Sequence, residues 1–235
     1  YKYGGDVLFL SENGLYPLSQ AVQSAAIERT KSVTDKIRQL FNDAANEFSG
    51  NEGWQVIAQP NVPFLLVNVP ASPVRQQFVM HAQTGAWAKF TGWDAFSFAR
   101  VGTSLYFSTA GSIKRVTGVS DAGANITATL TQAFSKVGSP RTKQVVEVKP
   151  YLVSDGGFSY SIGVVSDFGT LQEASNISKT FLGSSSLWGS AIWGSAIWGG
   201  TTETISEWQT VPDVFSTHKA LYLQVVGNTA SVSFY

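Results

Sequence analysis

The chain has 235 residues, which is enough for one large all-β domain or two smaller ones. Charged residues make up only 14% of it and the net charge is zero, so it lacks the basic surface with which proteins neutralise nucleic-acid phosphates. The absence of cysteine excludes disulfides, thiolate metal sites and a cysteine nucleophile. No apolar run approaches the roughly 18 residues of a membrane span, so we expect no stable membrane insertion.

Two explanations of the low charge stay open. A Ser/Thr/Asn-rich β protein covers its surface with uncharged polar side chains, whereas a subunit of an assembly buries much of its surface against neighbours. The chain also opens without methionine and closes inside a strand-like run, which suggests a piece of a longer protein.

The first elements are a hairpin and a helix. Residues 7–10 and 15–18 are strand-like and flank an Asn13-Gly14 step, which is typical of a tight hairpin turn. Apolar residues then recur at helical spacing, which predicts one helix near residues 33–48 with a single apolar stripe. That stripe packs either within the chain or on a neighbouring molecule.

Short strand signals follow one another closely from residue 54 to residue 116, with a turn signal every few residues. One predicted strand ends just before the turn Gln83-Thr84-Gly85, and the next begins just after it and carries Trp87. This arrangement is typical of a β-propeller blade. We therefore predict an all-β fold, with β-propeller-like blades and one inserted helix over residues 1–138. The predicted strands are residues 54–58, 64–69, 77–81, 86–90, 94–100, 103–108 and 112–116.

Residues 139–235 are predicted to form a smaller antiparallel unit, sandwich-like or extended. Residues 145–153 and 158–165, joined by a turn at Asp155-Gly156-Gly157, are expected to pair with each other. Further strands are expected at residues 203–211, 220–226 and 230–235, with Gly227-Asn228 as the turn between the last two.

A tryptophan repeat lies in this second unit, in the loop 187–200. Its period of five residues fits neither a strand nor a helical face. Three interpretations of the repeat stay open. It packs against its own domain, it forms an interface with a neighbouring subunit or another tail protein, or its rings stack on a sugar. Because tryptophan is enriched at interface hot spots, we take the following as candidate interface residues: Trp188, Ile192, Trp193, Ile197 and Trp198.

No motif in the sequence predicts an enzyme, a cofactor site or a metal site. His81 and His218 have no metal-ligand neighbours in sequence. A glycosidase needs two carboxylates at close range, and Asp94, Asp155 and Asp167 are acids in predicted turns. Acids in turns usually accept hydrogen bonds from local backbone N–H groups, so we propose no acidic site.

Several sequence fragments, taken in their order along the chain, indicate a relationship. The closest are Leu65-Leu-Val-Asn-Val-Pro70, Thr84-Gly-Ala-Trp87 and Phe90-Thr-Gly-Trp-Asp-Ala95, with Asp6-Val-Leu-Phe-Leu10 and Asn13-Gly-Leu-Tyr-Pro-Leu-Ser19 before them. The chain resembles the propeller-type tail nozzle or hub proteins of short-tailed phages and prophages over most of residues 5–168. Similar Trp-rich stretches also occur in that family. The chain departs from it at residues 212–217, which replace a Gly-rich turn.

The resemblance implies a structural virion protein located in the tail. It implies a homo-oligomeric ring, a hexamer, that extends the DNA channel below the portal and the head–tail adaptor and retains the genome until ejection. The other expected partners are tail fibres, spikes or a needle, and duplex DNA that passes without sequence-specific binding. The alternative is a receptor- or glycan-binding tail module, with or without glycan-degrading activity, on a propeller.

Overall fold

The computed structural model describes residues 1–3, 5–19, 22, 32–118, 120–154, 157–169, 176–181, 203–227 and 232–234. Contacts divide the chain into two compact units, Tyr1–Thr117 and Gly118–Tyr235. The division falls about twenty residues before the boundary expected at residue 138. The reason is that the strand Ile126–Thr131 pairs with Lys219–Gly227, which places it in the C-terminal unit.

The N-terminal unit contains three antiparallel sheets, and in each of them chain neighbours are also sheet neighbours. The first sheet holds β1 (Lys2–Tyr3), β2 (Asp6–Ser11) and β3 (Gly14–Pro17). The second holds β4 (Gln55–Ala58), β5 (Phe64–Val69), β6 (Gln76–His81) and β7 (Ala86–Phe90). The third holds β8 (Ser97–Val101), β9 (Ser104–Ser108) and β10 (Ile113–Val116). These bounds confirm the predicted strands of this region to within a few residues.

The second sheet is buried on both faces because apolar residues occupy both alternating sets of positions in β5. Leu65, Val67 and Val69 belong to a core shared with the first sheet. Leu66 points the other way, into a core shared with Phe98 and Phe107 of the third sheet. The three sheets therefore pack against one another in chain order.

The predicted helix is confirmed, and its apolar stripe packs within the chain. A 3-10 turn, Asp35–Ile37, leads into α1 (Arg38–Phe48). Phe41, Ala44 and Ala45 are buried in the core between the first and second sheets.

The described residues of the C-terminal unit form two larger sheets and a short strand pair. The four-stranded sheet has the order β11 (Ile126–Thr131), β18 (Lys219–Gly227), β14 (Phe158–Ser166) and β15 (Asn176–Phe181). The three-stranded sheet has the order β16 (Glu203–Ile205), β13 (Leu152–Ser154) and β19 (Val232–Phe234). The pair consists of β12 (Glu147–Val148) and β17 (Gln209–Thr210).

The pairing expected between residues 145–153 and 158–165 is wrong. That segment is divided between β12 and β13, and β13 pairs with β16 and β19 rather than with β14. Leu152 of β13 and Ile205 of β16 instead pack against Tyr160 and Ile162 of β14 in one core. Burying these side chains between two sheets removes more apolar surface from water than a two-stranded ribbon would.

The last two strands, β18 and β19, lie in different sheets, and Asn228 of the turn expected between them lies outside the described residues. Residues 203–211 likewise form β16 and β17, which pair with different strands. The described residues are mostly strands in several small antiparallel sheets, with α1 packed between two of them, as the all-β prediction requires. The described residues do not close into a propeller.

Candidate interaction site

The residues of the tryptophan repeat, Trp188, Ile192, Trp193, Ile197 and Trp198, lie outside the described residues. Asp155 also lies outside them. The other candidates lie in the described residues, and each of them contacts other residues of the chain.

Neither histidine has the surroundings of a metal ligand. His81 Nδ1 lies 3.1 Å from the Thr84 hydroxyl and 3.3 Å from the Thr84 backbone nitrogen, in the turn before β7. The ring of His218 lies 5.0 Å from that of Phe168, and its Nδ1 is 3.7 Å from Asp167. Over the described residues, no group of three or more His, Cys, Asp or Glu side chains is placed to hold a metal ion.

Asp94 and Asp167 lie in the described residues, and both accept hydrogen bonds from other residues of the chain. Asp94 accepts a hydrogen bond from Arg75 Nη1 at 3.2 Å. Asp167 accepts hydrogen bonds from the backbone N–H groups of Thr217 and His218, at 3.1 and 2.9 Å. The bond from His218 is the main cause that lowers the pKa of Asp167. The partners of both acids lie 19 to 51 residues away in sequence, so these acids join distant segments rather than accepting bonds from the backbone of their own turns.

The most unusual group in the C-terminal unit is a buried ion pair. Lys219 Nζ lies 2.6 Å from Asp213 Oδ2, and the two side chains are only 2% and 1% exposed. Asp213 also accepts hydrogen bonds from the backbone N–H of Val145 at 2.7 Å and from the Ser166 hydroxyl at 2.9 Å. Lys219 in turn donates to the Ser166 hydroxyl at 2.9 Å and to the carbonyl of Val214.

These bonds favour the ionised form of Asp213. Burial by itself raises the pKa of Asp213, but the bonds from Lys219, Val145 and Ser166 and the ammonium charge outweigh burial and hold that pKa below its usual value. A buried charge pair adds little net stability, because desolvation offsets most of the attraction. Its clearest effect here is to fix the position of the loop that carries Asp213.

That loop, residues 211–218, presents two apolar side chains to solvent, Val214 at 66% and Phe215 at 73% exposure. We call Val214 and Phe215 the apolar tip. It is held on one side by the ion pair and on the other by paired backbone bonds between Ser216 and Lys143, at 2.9 and 3.0 Å. Gln144 Nε2 adds a bond to the carbonyl of Asp213 at 2.8 Å.

Local sequence patterns do not predict this loop as a site. Its one signal is in residues 212–217, where two large apolar residues follow an aspartate and where the sequence differs from the family that it resembles. Nothing local indicates that Asp213 meets a lysine six residues later and a backbone amide 68 residues earlier.

A cavity of about 260 Å³ opens on the N-terminal unit. Its walls are mostly apolar, and we call it the N-terminal pocket. It is lined by Leu10, Ser11, Glu12, Phe41, Ala45, Ser49 and Trp54. These residues belong to the β2–β3 hairpin, to α1 and the residue after it, and to the segment that leads into β4.

No helix among the described residues has both the length and the apolar character needed to cross a membrane. No protein-family model matches this chain, and no curated protein matches it either. A functional proposal therefore rests on the ordered sequence fragments and on the architecture.

Proposed function

We propose that the chain is a structural subunit of a ring-shaped tail nozzle or hub of a short-tailed phage or prophage. The ring, six-membered in this proposal, extends the DNA channel below the portal and adaptor, retains the genome and releases it at ejection. Its partners are further copies of itself, the head–tail adaptor, other tail proteins and the passing DNA. It acts in the virion tail without catalysis.

The observation that supports this proposal best is the packing of the three N-terminal sheets in chain order. Each is an antiparallel meander, and the middle one is buried on both faces. Successive meanders that pack face to face are how propeller blades are built. The family-like fragments lie on these sheets, with residues 65–70 in β5 and its end and residues 84–87 in the turn into β7.

The zero net charge of the chain is compatible with a subunit that lines a DNA channel. A channel that passes DNA must not hold its phosphates, and basic residues that neutralise phosphates cause strong binding. The chain has 16 basic and 16 acidic residues, so it carries no net attraction for DNA.

The test is the mass of the full-length gene product by light scattering after size exclusion, followed by electron microscopy of the main peak. We expect rings with a central hole wide enough for duplex DNA, either alone or after addition of the adaptor ring as a template. A monomer under both conditions would contradict the proposal. Binding of host-surface glycans by that monomer would favour the alternative module.

A further inference from the structure

We propose that β11 of one copy pairs with β11 of a second copy, antiparallel about a two-fold axis at Ala128. The four-stranded sheets of the two copies then become one continuous sheet. A two-fold contact joins copies in pairs and cannot by itself close a ring, so this inference goes beyond the proposed function and does not rest on it.

The first observation is that β11 is an open edge of its sheet. Among the described residues it pairs only with β18, and all six of its residues are exposed. Gln132 donates to the Leu221 carbonyl at 2.9 Å and continues the same ladder. Because backbone groups point alternately to the two sides of an antiparallel strand, the N–H and C=O groups of Thr127 and Thr129 point away from β18.

The second observation is that β11 lacks the features that protect edge strands. Natural edge strands usually carry a charged residue, a proline or a bulge, which opposes pairing with another chain. β11 contains none of these, and residues 122–135 hold no charged side chain. β15, at the other edge of the same sheet, does contain a charged residue, Lys179. Of the two edges, β11 is therefore the one suited to pairing.

The third observation is an apolar stripe on β11 that continues the core face of the sheet. Ile126, Ala128 and Leu130 alternate with threonines and share one face of the strand. Leu130 is opposite Leu223, which is opposite Ile162, and the last two belong to the buried core of the unit. Ile126 and Leu130 are nevertheless 47% and 46% exposed. Contact with apolar side chains of another strand would remove part of this surface from water.

The fourth observation selects a second copy as the partner, because the strand is complementary to itself. With the axis at Ala128, Ile126 lies opposite Leu130 of the second copy, and Thr127 lies opposite Thr129. Threonines then face threonines, which is a favourable cross-strand pair, and aliphatic residues face aliphatic residues. The outward groups of Thr127 and Thr129 exchange backbone hydrogen bonds across the axis. A shift of the register by one residue would place aliphatic residues opposite threonines.

The chain has no cysteine, so one introduced cysteine reports the pairing in the full-length protein. In Ala128→Cys the two copies of the cysteine face each other as a non-hydrogen-bonded pair, which is close enough for a disulfide. Thr127→Cys is the matched control, because it is equally exposed in the same strand but does not face its own equivalent. Both variants are treated with oxidised glutathione and analysed by non-reducing electrophoresis.

We expect the covalent dimer of Ala128→Cys to form roughly 10-fold faster than that of Thr127→Cys, because only the first meets the distance requirement of a disulfide. Equal rates would overturn the proposal. Slow alkylation of Ala128→Cys in a protein that stays monomeric would also overturn it, since another part of the chain would then cover the edge.

The same experiment separates this contact from the proposed ring. Rings that form without the Ala128→Cys disulfide would overturn the β11 contact and leave the ring proposal standing. Disulfide-linked pairs without rings would support the contact and count against the ring.

Two variants of Thr129 measure the affinity of the contact. Thr129→Pro removes an N–H that points away from β18, so the unit should still fold, as circular dichroism will check. Thr129→Ala is the control, because it retains the N–H and also lacks the hydroxyl that accepts a bond from Gln224 Nε2 at 3.4 Å. In sedimentation equilibrium, proline should weaken dimerisation roughly 10-fold and alanine only slightly. Equal dimerisation of the two variants would overturn the proposal.

Discussion

Asn68 and Gln77 face each other on β5 and β6, and Gln77 Nε2 donates a hydrogen bond to Asn68 Oδ1 over 2.9 Å. Both side chains are fully buried. Asn68 Nδ2 also donates to the carbonyls of Gly53 and Ala95, at 2.8 and 3.0 Å, and Gln77 Nε2 donates to that of Trp93 at 3.0 Å. The two amides thus join the second sheet to the segment that leads into the third.

Replacing Asn68 by alanine should destabilise the N-terminal unit by about 3 kcal/mol, because it leaves several buried polar groups without their partner. The measurement is chemical denaturation followed by tryptophan fluorescence. Gln39→Ala is the control, since Gln39 is an exposed amide residue on α1. Equal stability of the two variants would show that the amide contacts are dispensable.

Phe41→Ala should also destabilise the protein, by about 3–5 kcal/mol, because Phe41 is 1% exposed and packs near Trp54 and Phe78. Leu40→Ala on the same helix should cost far less, since Leu40 is 40% exposed. Thermal unfolding of both variants measures the two losses of stability. A similar loss in both would mean that the helix does not pack through the face described above.

Gly14→Ala tests the hairpin at the start of the chain. Gly14 has φ +138°, and an added Cβ would lie 2.5 Å from the hydroxyl oxygens of Ser32 and Thr34. Gly102→Ala is the control, because Gly102 has φ +59° with nothing within 4 Å of the added Cβ, so it experiences backbone strain alone, about 1–2 kcal/mol. We expect a clearly larger loss for Gly14→Ala, and equal losses would contradict the contact with Ser32 and Thr34.

The buried ion pair should behave unlike an exposed one. Asp213→Leu or Lys219→Met alone should cost about 3–5 kcal/mol, since each leaves a buried charge unpaired, and the double variant should recover much of that loss. Asp35→Asn, which breaks the half-exposed pair with Arg38, should change stability by less than about 1 kcal/mol. A double-mutant cycle by chemical denaturation measures the coupling, and additive losses would contradict it.

Lowering the pH should reduce the stability of the C-terminal unit, because Asp213 becomes protonated. Its folded pKa is lowered below the unfolded value of about 3.9, so the unfolded chain binds more protons between the two pKa values. The contribution of the carboxylate is therefore present above about pH 5 and is lost as the pH falls through the folded pKa. Asp213→Asn should flatten the fall in stability between pH 5 and pH 2, and an unchanged slope would show that another carboxyl group dominates.

The tryptophan repeat can be tested without knowing its placement. If it joins subunits, Trp193→Ala should prevent assembly while circular dichroism of the monomer remains unchanged. Loss of the folded monomer would instead indicate that the repeat packs on its own domain.

Local patterns were sufficient for much of the N-terminal unit. Consecutive strands there pair across short turns, as at the Asn13-Gly14 step and the turn into β7, so strand order in the sequence is also strand order in the sheet. The apolar spacing of Phe41, Ala44 and Ala45 similarly predicted the helix, and the stripe could only stabilise it by being buried.

Local patterns do not predict strand pairing in the C-terminal unit, where paired strands are far apart in sequence. β13 and β14 are adjacent in sequence and resemble a hairpin, yet they lie in two sheets with a common core, and β11 pairs with a strand almost a hundred residues later. Propensity and turn residues do not specify which sheet receives a strand, because that choice depends on how much apolar surface the whole unit can bury.

The sequence alone therefore determined the all-β class, most of the strands and the helix, since each depends on residues within a few positions of one another. Only the tertiary structure decided that Asp213 and Lys219 are buried together and that Phe215 is held exposed. The physical reason is that a charged side chain becomes buried, or an apolar one stays in solvent, only through partners distant in sequence, such as Val145 and Ser166.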